Sequence, residues 1–241
     1  MKIIAEIGLN HCGSEKLAEE MLEALLQTSI DTITFQIREK EYYDGSKPWR
    51  NRLSDTFYIK AIALAHKKGK EIGFAVSDPA MADVLEKSGA DVWKTLSKDI
   101  GNKELFAKLK ATKKGIYMST GLSALEEVKQ AAASLGNPII IHTQLSNELG
   151  DVNLGAIPLL REATQKEVAF GLHCSDHNVL YVSLGFRPAA IFFYVKKEPA
   201  ESLPDNAHAL LIKDVDHIAT ELKELAKTIG TGKKEKMERK V

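Results

Sequence analysis

The sequence predicts a single domain with the α/β architecture of a closed (β/α)8 TIM barrel. Short apolar, β-branched runs alternate with amphipathic helical segments, in eight pairs, and most of the links between them are short. The length of 241 residues is near the ~250 at which such barrels run as one unit. Eight repeats favour closure over an open, doubly wound sheet.

The first strand, 3–8, is the apolar run Ile3-Ile4-Ala5, which ends in polar residues and glycines before a helical pattern at 15–28 capped by Ser14. Glu6, Asn10 and His11 thus gather at the strand's carboxyl end, where barrels place their chemistry. The second strand, 32–36, carries Thr34 and Gln36, and its helix spans 55–69. Between them lies 38–54, a charged and aromatic loop with Tyr42, Tyr43, Trp49, Arg50 and Arg52; a link that long in a compact barrel reads as functional. Strand 72–76 delivers Ser77 and Asp78 ahead of helix 79–88. Strand 92–96 holds Lys94 inside an apolar run, followed by Ser97, Lys98 and a helix at 102–111. A bare buried ammonium is costly, so Lys94 must face a bound anion or pair with a carboxylate such as Glu6.

Strand 115–119 runs into Ser119-Thr120-Gly121 before helix 123–135, where Ser123 and Glu126 form a capping box. Those hydroxyls and backbone N–H groups suit a phosphate or carboxylate, although the triplet also suits an ordinary cap. Strand 139–143 delivers His142, Thr143, Gln144 and Ser146 ahead of helix 154–164. Strand 168–172 delivers His173-Cys174-Ser175-Asp176-His177 ahead of a short helix, 179–184. An Asp–His pair suits a metal ligand, a general base or a structural hydrogen bond. Strand 190–195 brings Tyr194, Lys196 and Lys197, then Pro204-Asp205, and the last helix is expected at 207–229.

Composition narrows the function classes. Lys+Arg and Asp+Glu are both 33, so no global field draws the chain to nucleic acid or membrane. No apolar stretch approaches the ~18 residues that span a bilayer. A strand that starts at residue 3 leaves no room for a signal peptide, which makes a cytoplasmic location the expectation. Cys12 and Cys174 are too few for a disulfide framework and read as packing residues. The stretch 230–241, with Lys233, Lys234, Lys236, Arg239 and Lys240, reads as a solvated basic tail.

Taken in order, AEIGLNHCGS, TFQ, KTLSKDIGN, STGLS, HTQ with DVNL, SDH and PDNAH resemble the sialic acid synthase family over residues 3–232. Its members join phosphoenolpyruvate to N-acetylmannosamine or related amino sugars, on a (β/α)8 barrel followed by a small antifreeze-like domain. The resemblance implies a phosphoenolpyruvate-dependent transferase of nonulosonic acid biosynthesis. It implies catalytic roles for Glu6, Lys94 and His177, with Lys94, Ser97, Ser119 and Ser175 holding phosphoenolpyruvate and Gln36, Gln144 and Asp205 contacting substrate. His177 would be a ligand of Mn²⁺ or Mg²⁺. In this scheme C3 of the enol attacks the sugar aldehyde, water adds at C2, and phosphate leaves by C–O cleavage.

The departures from that pattern are specific. The family's first lysine of KFQ is Thr34, and the strand that should supply a second metal histidine reads Ile191-Phe192-Phe193-Tyr194-Val195. The motif GPDH becomes LPDN, with His208 displaced, and the helix after His177 is short. The expected organisation is a barrel over 1–230 and a tail over 231–241, with the antifreeze-like domain absent. One histidine with waters and a carboxylate would hold Mn²⁺ or Mg²⁺ weakly. Slow condensation is therefore expected, with Lys40, Arg50 and Arg52 able to restore charge if their loop folds inward, and with a homodimer or partner subunit open. Two rival readings are a non-catalytic anion- or partner-binding barrel and an aldolase or lyase with Lys94 as the amine nucleophile.

Overall fold

A computed structural model describes residues 1–45, 50–200, 202–234 and 236. Trp49 of the second loop and Arg239 and Lys240 of the tail lie outside the described residues. Eight parallel strands, β1 (Lys2–Gly8), β2 (Thr32–Ile37), β3 (Glu71–Val76), β4 (Val92–Thr95), β5 (Gly115–Ser119), β6 (Ile139–His142), β7 (Val168–Gly171) and β8 (Ala190–Lys196), pair in sequence order. Pairing of β1 with β8 closes the barrel. A two-residue strand, β9 (Leu210–Leu211), extends the upper part of β8. The helices α1 (Glu15–Leu25), α2 (Asp55–Lys67), α3 (Pro79–Lys87), α4 (Lys103–Ala111), α5 (Leu125–Leu135), α6 (Ala156–Thr164), α7 (Val179–Ser183) and α8 (Ile212–Ala226) complete the fold. No helix among the described residues is long and apolar enough to cross a membrane.

The strand pleat divides the core in two. Ile3, Ala5, Ile7, Trp93, Met118 and Ile140 pack with the apolar helix faces. Ile4, Val92, Tyr117, Ile141, Ala169 and Phe192 form a separate cluster, which fills the barrel. Because side chains alternate with period two, the residues two places on share that interior face. Glu6 follows Ile4, Lys94 follows Val92, Ser119 follows Tyr117, Thr143 follows Ile141 and Tyr194 follows Phe192. An apolar floor and a polar mouth thus arise from one alternation. At the opposite end, Asp31 accepts from the Ile3 backbone N–H at 2.8 Å and from Lys223 at 2.7 Å, which ties α8 to the start of β1.

The caps are mostly where the sequence puts them. Ser14 accepts from the Leu17 N–H at 3.2 Å, and Ser54, Asp78 and Asn102 do the same for α2, α3 and α4. At α5 the expected box is displaced by one residue: Ala124 is the N-cap and its N–H donates to Glu127 at 2.7 Å. Glu126 instead pairs with Lys129 across the solvent face. The last helix begins at Ile212 rather than 207, because 205–209 turn back on themselves, with the Ala209 N–H donating to the Asp205 carbonyl at 2.9 Å.

Candidate functional site

The polar mouth is organised around a buried ion pair. Lys94 Nζ lies 2.6 and 2.7 Å from the two oxygens of Glu6, and the Thr34 hydroxyl donates to the same carboxylate at 3.3 Å. Both charged side chains are almost wholly enclosed, at 6% and 4% exposure. The ammonium also sits 5.4 Å from the Phe192 ring and 5.5 Å from the Tyr194 ring, so π faces contribute to holding a desolvated cation. Of the two alternatives for Lys94 the pair with Glu6 is formed, and the ammonium also lines a cleft of about 700 Å³, open to solvent.

Ser97, Ser119, Gln36 and Asp205 line the same cleft. The Ser97 and Ser119 hydroxyls are 2.8 Å apart, and Ser97 accepts from the Gly121 N–H at 3.1 Å. Hydroxyls joined in this way, beside a backbone N–H and an ammonium, form a donor array suited to phosphate or carboxylate oxygens. Asn10 anchors the far wall. Its amide donates to the Val195 carbonyl at 2.8 Å and its oxygen accepts from the Asp205 N–H at 3.3 Å. Gly8 makes the close packing possible, with φ +57° and a β-carbon position only 2.7 Å from Tyr194 Cε1.

His11 is wholly buried. Its Nδ1 accepts from the Gly13 N–H at 2.9 Å, and burial holds its imidazole down at about 4. Tyr194 is buried as well; burial first, then Glu6 and Asp205, push its hydroxyl well above the usual phenol range.

Three residues expected in the site stand elsewhere. Strand β7 ends at Gly171, and the interior face of its alternation runs Ala169, Gly171, His173. His173 therefore lines the cleft, whereas Ser175 has passed beyond it. Ser175 is exposed, and its N–H and hydroxyl both donate to the Asn147 carbonyl, at 3.2 and 3.1 Å. His177 is half-buried, and its Nε2 donates to the His208 carbonyl at 3.2 Å. Burial lowers its pKa although that bond opposes the shift. Gln144 faces a separate depression beside Thr120, His142 and Thr143. Of the second-loop cations, Arg52 bonds Asp55 and Arg50 lies 5.1 Å from the Tyr42 ring, while Lys40 is exposed.

At His177 the Nε2–H is committed to a carbonyl, which leaves Nδ1 as the ring's one lone pair, and the phenol of Tyr194 stands where the resemblance expects the second imidazole. No group of three His, Cys, Asp or Glu among the described residues is arranged to hold a metal.

His173, at the end of the seventh strand but given no role by the resemblance, lines the cleft, and so does Arg38, the first residue of the second loop. The His173 ring is 4.5 Å from that of His208 and 5.4 Å from that of Tyr194. Burial, then His208 and Lys94, lower its pKa to about 3, so it is neutral and carries one N–H donor and one lone pair. Arg38 and Lys98 line the cleft rim. Both were legible in principle: Arg38 continues the series Thr32, Thr34, Gln36, and Lys98 the series Val92, Lys94, Leu96.

The family model described as the NeuB family matches residues 16–234. The chain is 24% identical over 259 residues to N,N'-diacetyllegionaminic acid synthase of Campylobacter jejuni subsp. jejuni serotype O:2, covering 95% of this chain and 78% of that protein. It is 23% identical over 263 residues to the protein of the same name from Legionella pneumophila subsp. pneumophila, covering 96% and 74%. The structure superposes on N-acetylneuraminic acid (sialic acid) synthetase from Leptospira borgpetersenii serovar Hardjo-bovis, in complex with citrate, with a TM-score of 0.89 at 21% identity, covering 98% of this chain and 87% of that one.

Proposed function

The chain belongs to the NeuB family, and from that premise we propose that it is a synthase joining phosphoenolpyruvate to the aldehyde carbon of an N-acetylated amino sugar. The observation that carries this reading is the Lys94–Glu6 pair at the mouth, flanked by the linked Ser97 and Ser119 hydroxyls. An ammonium and several neutral donors held in place at the barrel mouth suit a small trianion, and they need little rearrangement once it is bound. Two relatives are named N,N'-diacetyllegionaminic acid synthase, which gives the reaction class its support.

In the proposed reaction the enol π pair of phosphoenolpyruvate forms the new bond from C3 to the aldehyde carbon, whose oxygen takes up a proton. Water adds at C2, and the C2–O bond to phosphate breaks as the ketone forms. Lys94, Ser97 and Ser119 hold the anionic groups. His173, neutral and in the same cleft, is the group proposed to polarise the aldehyde oxygen through its N–H. Gln36, on β2, and Asp205, in the turn between β8 and β9, both line the cleft and suit the hydroxyls of a sugar. The test is turnover with phosphoenolpyruvate and a panel of N-acetylated hexosamines, read as release of inorganic phosphate that requires the sugar. Phosphate release indifferent to every sugar would refute the reading.

A further inference from the structure

Among the described residues three cations line the cleft, Lys94, Arg38 and Lys98, and each already holds a carboxylate. Lys94 holds Glu6. Arg38 donates to Glu39 from Nε and Nη2, both at 3.0 Å, and Lys98 Nζ lies 3.1 Å from Glu39 and 2.6 Å from Asp99. A multiply charged anion entering this cleft meets no uncommitted cation among those three, so it must share one or displace a carboxylate.

The three carboxylates are not equally displaceable. Glu6 and Asp99 are each 4% exposed, and Asp99 also accepts from the Ser77 hydroxyl at 2.5 Å. Expelling either would strand a charge in the interior. Glu39 is 34% exposed and stands just outside β2, at the entry to a short 3-10 turn, Lys40–Asp44. Its side-chain partners among the described residues are Arg38 and Lys98. Meanwhile Arg38 is held in place from behind, its guanidinium 4.0 Å from the Tyr42 ring centroid. Burial raises the Glu39 carboxyl, but bonds from Arg38 and Lys98 outweigh it and bring the group down to about 2, so the carboxylate is charged at any working pH.

We propose that Arg38 and Lys98 form an anion subsite at the rim of the cleft, which Glu39 fills until a phosphoryl or carboxylate group of the substrate displaces it. Displacement needs only the rotation of a partly exposed side chain into water, and the incoming oxygens inherit a guanidinium fork and an ammonium at fixed positions. The subsite supplies cationic contacts at a mouth where position 34 holds a threonine. Glu39 in turn sets a threshold, since monoanions compete poorly with a carboxylate already in place.

The inference rests on reading the cleft as an anion site, and it is tested without turnover. Inorganic phosphate is titrated calorimetrically into the full chain and into Glu39→Gln, Arg38→Ala and Arg38→Lys, with thermal melts to confirm folding. Glu39→Gln is expected to bind phosphate roughly tenfold more tightly than wild type, because the competitor has lost its charge. Arg38→Ala should bind roughly tenfold more weakly, and Arg38→Lys, which keeps the charge without the fork, should fall between. Phosphate affinity in Glu39→Gln equal to or below that of wild type overturns the proposal, whether or not any variant turns over phosphoenolpyruvate. Failure of turnover alone, with the affinity order as stated, would count against the synthase reading and leave the subsite standing.

Discussion

Lys94 meets two demands at once: it neutralises Glu6 inside the barrel, and it presents charge to the cleft. Replacing it with alanine removes a charge-assisted contact to substrate worth roughly 1.5–3 kcal/mol. It also leaves Glu6 buried beside a single hydroxyl, at a stability cost of about 3–5 kcal/mol. The two effects separate in the double variant Lys94→Met/Glu6→Gln, which should regain most of the lost melting temperature and none of the phosphoenolpyruvate affinity. Calorimetry alongside thermal melts checks this, and recovered affinity would move the anion site elsewhere. A second prediction concerns His177. Its ring has Nδ1 alone to offer, and no group of three His, Cys, Asp or Glu among the described residues surrounds it, so metal analysis of the purified chain should find no stoichiometric Mn²⁺ or Zn²⁺. A tightly bound equivalent would contradict that geometry.

Strand β1 shows how an element aims the chemistry. Its register against β2 slips between Glu6 and Gly8, and Gly8 takes a left-handed φ so that the chain clears Tyr194 and approaches Asp205. Gly8→Ala should therefore cost roughly 1–3 kcal/mol through backbone strain and displace the Tyr194 ring. A lower melting temperature with reduced sugar-dependent turnover is the expected result; unchanged values for both would show that the bulge relaxes freely. Strand alternation also explains what the sequence made legible. Apolar runs with period-two interior faces located all eight strands, and they put Glu6, Lys94 and Ser119 at one mouth because each follows an interior apolar residue by two places. The same count points to His173 and Arg38. At β7 the resemblance points instead to Ser175 and His177, which lie past the strand end, where Asp176 accepts from the Asn178 N–H in a turn. Loop contacts such as Arg38 with Glu39 and Tyr42 depend on how the turn after β2 folds back, and no periodicity encodes that.

Across the whole molecule the neutral, buried imidazoles tie stability to pH. His11 is held at about 4 and His173 at about 3, against 6.5 for an unperturbed group, in each case chiefly by burial. Between those values and 6.5 the unfolded chain binds protons that the folded chain refuses, so acidification favours unfolding. Stability should be full above about pH 7 and fall steadily toward about pH 4. His11→Asn, which keeps an acceptor for the Gly13 N–H, should flatten that slope; an unchanged slope would assign the acid sensitivity to other groups.

The synthase assignment is tested most directly by one turnover measurement, in which phosphoenolpyruvate carrying ¹⁸O in its bridging C–O bond is incubated with the N-acetylated hexosamine panel and the wild-type chain or Lys94→Met/Glu6→Gln. The account predicts phosphate released only when an accepted sugar is present, with the label in the phosphate, and no release by the double variant. Label retained in the organic product, or equal turnover by the double variant, would contradict it.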